Sequence, residues 1–133
     1  MSADTILVVD DNPTNLKLVS DVLHFDGYQV LRAVDAEVAL DIVRCTPPNL
    51  ILMDIGLPGM DGLALTRLLK SSSVTRNIVI VALTAFAMKG DEALAFEAGC
   101  DGYITKPINT RTLSDLIASF LGSEVPEKRA GKP

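Results

Sequence analysis

Leu50-Ile51-Leu52-Met53-Asp54 decides the fold, because four consecutive apolar residues end in a carboxylate. The segment that follows, Ile55-Gly56-Leu57-Pro58-Gly59-Met60-Asp61-Gly62, is too rich in Gly and Pro to continue a regular element. A short, uniformly apolar run predicts a strand buried on both faces, as in a parallel sheet covered by helices. A charge at its last position falls where open α/β sheets place their ligands. Asp54 is a candidate reactive group on this ground, although an Asp at such a place often only starts a turn.

Working outward, Thr5-Ile6-Leu7-Val8-Val9 is a second β-branched run, ending in Asp10-Asp11. Asn12-Pro13-Thr14 then opens a helix, with Leu16, Val19, Val22 and Leu23 on its apolar side and Lys17, Ser20 and Asp21 elsewhere. Gly27 ends it. A strand over Tyr28–Val34 precedes a short helix from Ala36 to Arg44, capped by Asp35, with Val38, Ala39, Ile42 and Val43 inward. After Pro47-Pro48 and the Leu50–Asp54 strand, a third helix runs from Leu63 to Lys70 with Leu65, Leu68 and Leu69 inward. Ile78–Leu83 is the most apolar strand and ends at Thr84. A weak helix, Lys89 to Ala98, leads to a brief strand, Gly102–Thr105, which ends at Lys106-Pro107. Leu113, Leu116, Ile117, Phe120 and Leu121 stripe the last helix. Ser123–Pro133 is charged and without a core-forming pattern, and reads as a tail or the start of a linker.

Five alternations of strand and helix predict right-handed crossovers onto a parallel sheet with helices on both faces. The fold class is α/β, a (βα)5 flavodoxin-like sheet of order 2-1-3-4-5. The first and third strands are then neighbours, and Asp10, Asp11 and Asp54 meet at one switch point.

Composition narrows the function. The 133 residues suit one domain, and 48% apolar with 22% charged residues is an ordinary globular balance. A net charge of −5 argues against direct binding of nucleic acid, which needs a basic face. No run is long enough to span a membrane, and Met1-Ser2-Ala3-Asp4 does not begin like a signal peptide. Cys45 and Cys100 lack metal-ligand spacing and are expected to be reduced, semi-buried packing residues of a cytoplasmic protein.

Four strands end in a polar group at one edge: Asp10-Asp11, Asp54, Thr84 and Lys106. Three carboxylates brought together repel, and a divalent cation relieves that repulsion; an all-oxygen, highly negative site suits Mg²⁺. Lys106 and Thr84 supply an ammonium and a hydroxyl for phosphoryl oxygens, leaving one carboxylate as a nucleophile. A buried Asp–Lys pair with a capping Thr and no chemistry is the plainer alternative.

Val8-Val9-Asp10-Asp11-Asn12, Leu52-Met53-Asp54 with Pro58 four residues on, Leu83-Thr84-Ala85 and Tyr103-Ile104-Thr105-Lys106-Pro107 together resemble the receiver domains of two-component response regulators. The resemblance covers about residues 4–121, which sets a receiver domain at 1–122 and a tail at 123–133. It implies that Asp54 accepts a phosphoryl group from a phosphohistidine of a sensor kinase or phosphotransfer protein. It further implies Asp11, Asp54 and the Gly56 carbonyl as direct Mg²⁺ ligands, and Asp10 as one acting through a water. Lys106 then binds the phosphoryl group, its peptide bond to Pro107 being typically cis, Thr84 is the switch hydroxyl, Tyr103 the aromatic that turns inward behind it, and Ala85 the small neighbour. Output is expected through the fourth helix, fifth strand and fifth helix, toward a downstream protein. Such a domain is no enzyme beyond its own phosphorylation and dephosphorylation.

The stretch Thr84-Ala85-Phe86-Ala87-Met88-Lys89-Gly90-Asp91 is most similar to stand-alone receivers of the DivK type and receivers of hybrid kinases. In CheY-like chemotaxis regulators this stretch is usually more polar. Gly56 and Phe86 occupy the two positions that usually tune dephosphorylation. Three other readings are separable. A phosphatase with an aspartyl intermediate needs a second acid where Gly56 stands, and a flavin carrier needs a phosphate loop where Asp10-Asp11 stand. A phosphorylation-independent pseudo-receiver would lack acceptor-site residues that are present here.

Overall fold

The computed structural model describes residues 4–55, 62–84, 89–105 and 108–121, the side chains of 89–92 excepted. Ten elements alternate along the chain: β1 Thr5–Val9, α1 Pro13–Phe25, β2 Gln29–Ala33, α2 Ala36–Cys45, β3 Leu50–Asp54, α3 Gly62–Ser71, β4 Val79–Thr84, α4 Lys89–Ala98, β5 Gly102–Thr105 and α5 Thr110–Leu121. The strands form one parallel sheet in the order β2-β1-β3-β4-β5. This is the doubly wound topology expected from the alternation.

Periodicity sets which face each strand residue serves. Ile6, Val8, Leu50, Leu52, Val81, Leu83 and Ile104 join Leu16, Val19, Leu23, Leu113 and Ile117 in a core under α1 and α5. Leu7, Val9, Ile51, Met53, Ile80 and Ala82 join Ala36, Ala39, Val43, Leu65, Leu69 and Ala95 in a second core under α2, α3 and α4. All five residues of β3 are buried, which is why that segment carries no alternation of polarity.

Several inward faces differ from expectation. Ser20, expected away from the core, is buried in α1 with Leu16, Val19 and Leu23, while Val22 is only half-buried. Leu68 and Leu116 are exposed, as is Val38 on α2, because the buried stripe of each helix is narrower than the apolar sequence pattern. On α3 that stripe is Gly62, Leu65, Thr66 and Leu69, and Leu68 lines an open groove of about 380 Å³ with Leu40, Val43 and Val74. Cys45 ends α2 in solvent, so only Cys100 is the packing residue both were expected to be.

Local signals fix the joints. Asn12 caps α1, accepting from the amides of Thr14 and Asn15, with Pro13 at the first helical turn. The Asp35 carboxylate accepts from the Val38 amide at 2.9 Å, as expected of a cap. Gly99 leaves α4 with φ +112°, a left-handed conformation that a side chain disfavours. Among the described residues no helix is long and apolar enough to cross a membrane. The expected tail, 123–133, lies outside the described residues.

Burial pushes the Cys100 thiol up from its ordinary range, with its hydrogen bond to the Thr66 hydroxyl working against it. A protonated, buried thiol is a poor nucleophile. In the folded protein a disulfide-exchange reagent should therefore titrate one thiol, Cys45, quickly. Cys100 should react about a hundredfold more slowly, at the rate of local opening, and fully once the chain is denatured. Two thiols titrating together under native conditions would contradict this placement.

Candidate phosphoacceptor site

The site is made by the sheet register. Val9 pairs with Met53, so the residues that follow, Asp10 and Asp54, leave adjacent strands side by side. Asp54 pairs with Leu83, which sets Thr84 one step beyond it on β4. Asp10 is wholly buried, Asp54 and Thr84 are buried, and Asp11 is exposed. One carboxylate oxygen from each of Asp10, Asp11 and Asp54 falls within 4.8 Å of the others. The structure thus brings together three of the acids singled out in the sequence, with Thr84 on the neighbouring strand. Lys106 and Gly56, expected to complete the set, lie outside the described residues, as do Ala85, Phe86, Met88 and Pro107.

Asp10 is held in place by the start of α1. Its Oδ1 accepts from the Asn12 amide at 2.9 Å, and its Oδ2 accepts from the Asn15 side-chain amide. Two oriented donors offset part of the cost of a buried carboxylate. The N-terminal end of α1 also points its partial positive charge at the acidic cluster. Asn15 was not singled out in the sequence. Its signal was available: a polar amide in the first turn of the helix that directly follows the acidic pair.

The donor set fits a hard divalent cation. All three available donors are carboxylate oxygens, their spacing admits one ion among them, and the exposed Asp11 leaves an open side for water.

Tyr103 is half-buried beside the α2–α3–α4 core, and its ring meets Phe96 of α4 edge-on, centroids 6.1 Å apart at 87°. At the far end of α4, the Lys70 ammonium donates to the carbonyls of Arg76 (3.1 Å) and Ile78 (2.8 Å) and to the Asp101 carboxylate (2.9 Å). The same Asp101 oxygen accepts from the Ile80 amide at 2.8 Å. Neither Phe96 nor Lys70 was singled out in the sequence, because each acts through contacts that only the fold creates.

The chain is 43% identical over 118 residues to the polar-differentiation response regulator DivK of Brucella anthropi, covering 89% of this chain and 96% of that one. A response regulator structure from Chloroflexus aurantiacus superposes with a TM-score of 0.87 at 32% identity, covering 90% of this chain and 98% of the other. The receiver domain of a Pseudomonas aeruginosa sensor histidine kinase, solved with a magnesium ion coordinated in its active site cleft, matches with a TM-score of 0.84 at 33% identity. That match spans 92% of this chain and all of the other. The response regulator receiver domain model matches residues 6–118, and the chain belongs to that family, the receiver domains of two-component signalling.

Proposed function

We propose that Asp54 is the phosphoacceptor and that the chain takes its phosphoryl group from a phosphohistidine of a sensor kinase or phosphotransfer protein in the cytoplasm. The observation that carries this reading is the convergence of the Asp10, Asp11 and Asp54 carboxylates at the end of β3, one strand from Thr84. An Asp54 oxygen attacks phosphorus, the P–N bond to the donor imidazole breaks, and its electron pair stays on that nitrogen, which takes a proton. Asp11 and Asp54, with the Gly56 carbonyl, would hold Mg²⁺, and Asp10 would act through a water; the bound ion would supply neutralisation of charge on the phosphoryl oxygens.

The remaining roles belong to the chain. Asp54 is buried at the end of β3, which restricts its carboxylate to the acidic cluster and so orients the attacking oxygen. Thr84 donates its hydroxyl to one phosphoryl oxygen and Lys106 its ammonium to another. Tyr103 then turns inward behind Thr84, which changes the surface of α4, β5 and α5 seen by a downstream protein.

Incubation with Mg²⁺ and acetyl phosphate is expected to add the mass of one phosphate, removed at alkaline pH. Asp54→Asn should abolish that addition while leaving the far-ultraviolet circular dichroism unchanged. Equal uptake by Asp54→Asn would overturn the assignment. No uptake by the wild type would favour a phosphorylation-independent binding module instead.

A further inference from the structure

α4 has a shallow seat. Among its described side chains only Ala95 and Ala98 are buried, so two methyl groups face the core, while Leu94 and Phe96 are 44% and 47% exposed. Its C-terminal end is fixed by the left-handed Gly99, the buried Cys100 and the Asp101–Lys70 pair. Among the described side chains, Phe96 is a large one that joins the helix to β5, through its edge-on contact with Tyr103. This is the one aromatic pair among the described residues. Tyr103 lies on the α4 side of β5, whereas Ile104 beside it belongs to the core under α5.

We propose that Phe96 is a positioning residue that couples the orientation of Tyr103 to the seating of α4. The proposal rests on the reading above, in which Tyr103 turns inward once Asp54 is phosphorylated. The ring pair exists only while Tyr103 keeps its half-buried position, so its attraction favours that position. Turned toward Thr84, Tyr103 withdraws its edge from Phe96. The helix, whose buried side chains among those described are two alanines, then loses this aromatic contact and shifts. Coupling of this kind is reciprocal: whatever weakens the Phe96 contact favours the inward state, and with it the phosphoryl group. Leu94 and Phe96, on opposite flanks of α4, are each nearly half exposed, so the shift is displayed where a partner can read it.

Beryllofluoride with Mg²⁺, an analogue of the phosphoryl group on a carboxylate, provides the test by calorimetric titration. Phe96→Ala, on an exposed helical position that alanine suits, is expected to bind it about two- to tenfold tighter than the wild type, the range implied by loss of one edge-on ring pair. Phe96→Tyr should keep wild-type affinity. In a Tyr103→Ala background, Phe96→Ala should change nothing. Amide chemical shifts of residues 93–98 should move toward their beryllofluoride-bound positions in Phe96→Ala alone. Unchanged or weaker binding by Phe96→Ala, or an effect that persists without Tyr103, overturns the coupling and leaves Asp54 as acceptor intact. A wild type that binds no beryllofluoride overturns the acceptor reading and the coupling with it.

Discussion

Gly62→Ala is expected to lower the melting temperature by roughly 8 °C and to slow phosphate uptake from acetyl phosphate at least tenfold. Gly62 is the first residue of α3 and is buried against the end of β3. A β-carbon there would stand 2.5 Å from the Asp54 carbonyl oxygen, 2.9 Å from Met53 Cγ and 3.0 Å from Ile55 Cα. Two of these three atoms are backbone, which cannot swing aside as a side-chain end would. Alanine is the better helix former by about 1 kcal/mol, but overpacking costs about 1–3 kcal/mol or more. With rigid atoms on the other side we place the net loss near 2 kcal/mol, equivalent to roughly 8 °C for a domain of this size. The relief available is to push α3 away from β3 or to displace Asp54 itself. Misplacement of a reacting group by about 1 Å can cost about a hundredfold in rate, so the kinetic effect should exceed the stability effect. Thermal unfolding and single-turnover phosphorylation by mass spectrometry check both halves. A variant that melts and reacts like the wild type would show that the approach of α3 to β3 is not tight.

Lys70→Met is expected to cost about 2 kcal/mol, or roughly 8 °C in melting temperature. Methionine keeps most of the stem that packs against Gly99 and removes only the charge. What is lost is one ammonium with three acceptors, the Arg76 and Ile78 carbonyls and the Asp101 carboxylate, which meets all three of its donor positions. Of the three contacts only that to Ile78 is part-buried, and a hydrogen bond to a charged group is worth about 1.5–3 kcal/mol. The Asp101 side chain is 43% exposed, so water takes over part of its loss and the lower end applies. Lys70→Arg should recover little, because a planar fork does not match three acceptors around one point. Combining Lys70→Met with Asp101→Asn should cost less than the two changes separately, which a double-mutant cycle by urea unfolding measures.

How far the sequence carries the reader depends on which kind of contact fixes each feature. β3 and β4 are legible because burial on both faces leaves no polar residue inside them, and their terminal Asp54 and Thr84 mark where the sheet meets solvent. The strand order follows from alternation and connection length. The stripe of a helix is legible, its width is not: Leu68 and Leu116 lie at stripe margins, and only the packing of the neighbouring element decides whether a margin is covered. Ser20 fails for the opposite reason, since a hydroxyl scores as polar although its position between Leu16 and Leu23 is inward. Lys70 and Phe96 were invisible because their partners lie across two loops and on the next strand, whereas Asn15 was legible from its place in the first turn after the acidic pair.

The central position of β1 has a consequence for how the chain assembles. Ile6, Leu7, Val8 and Val9 are wholly buried, yet β1 finds β2 on one edge and β3 on the other, the latter more than 40 residues along the chain. A nascent chain that has reached only α2 therefore exposes one open edge and apolar flanks of its central strand. Closure must wait for Leu50–Asp54, a non-local pairing of the kind that slows folding. The step that covers β1 is the same one that sets Asp54 beside Asp10, and the far edge of β3 stays open until β4 pairs with it and brings Thr84.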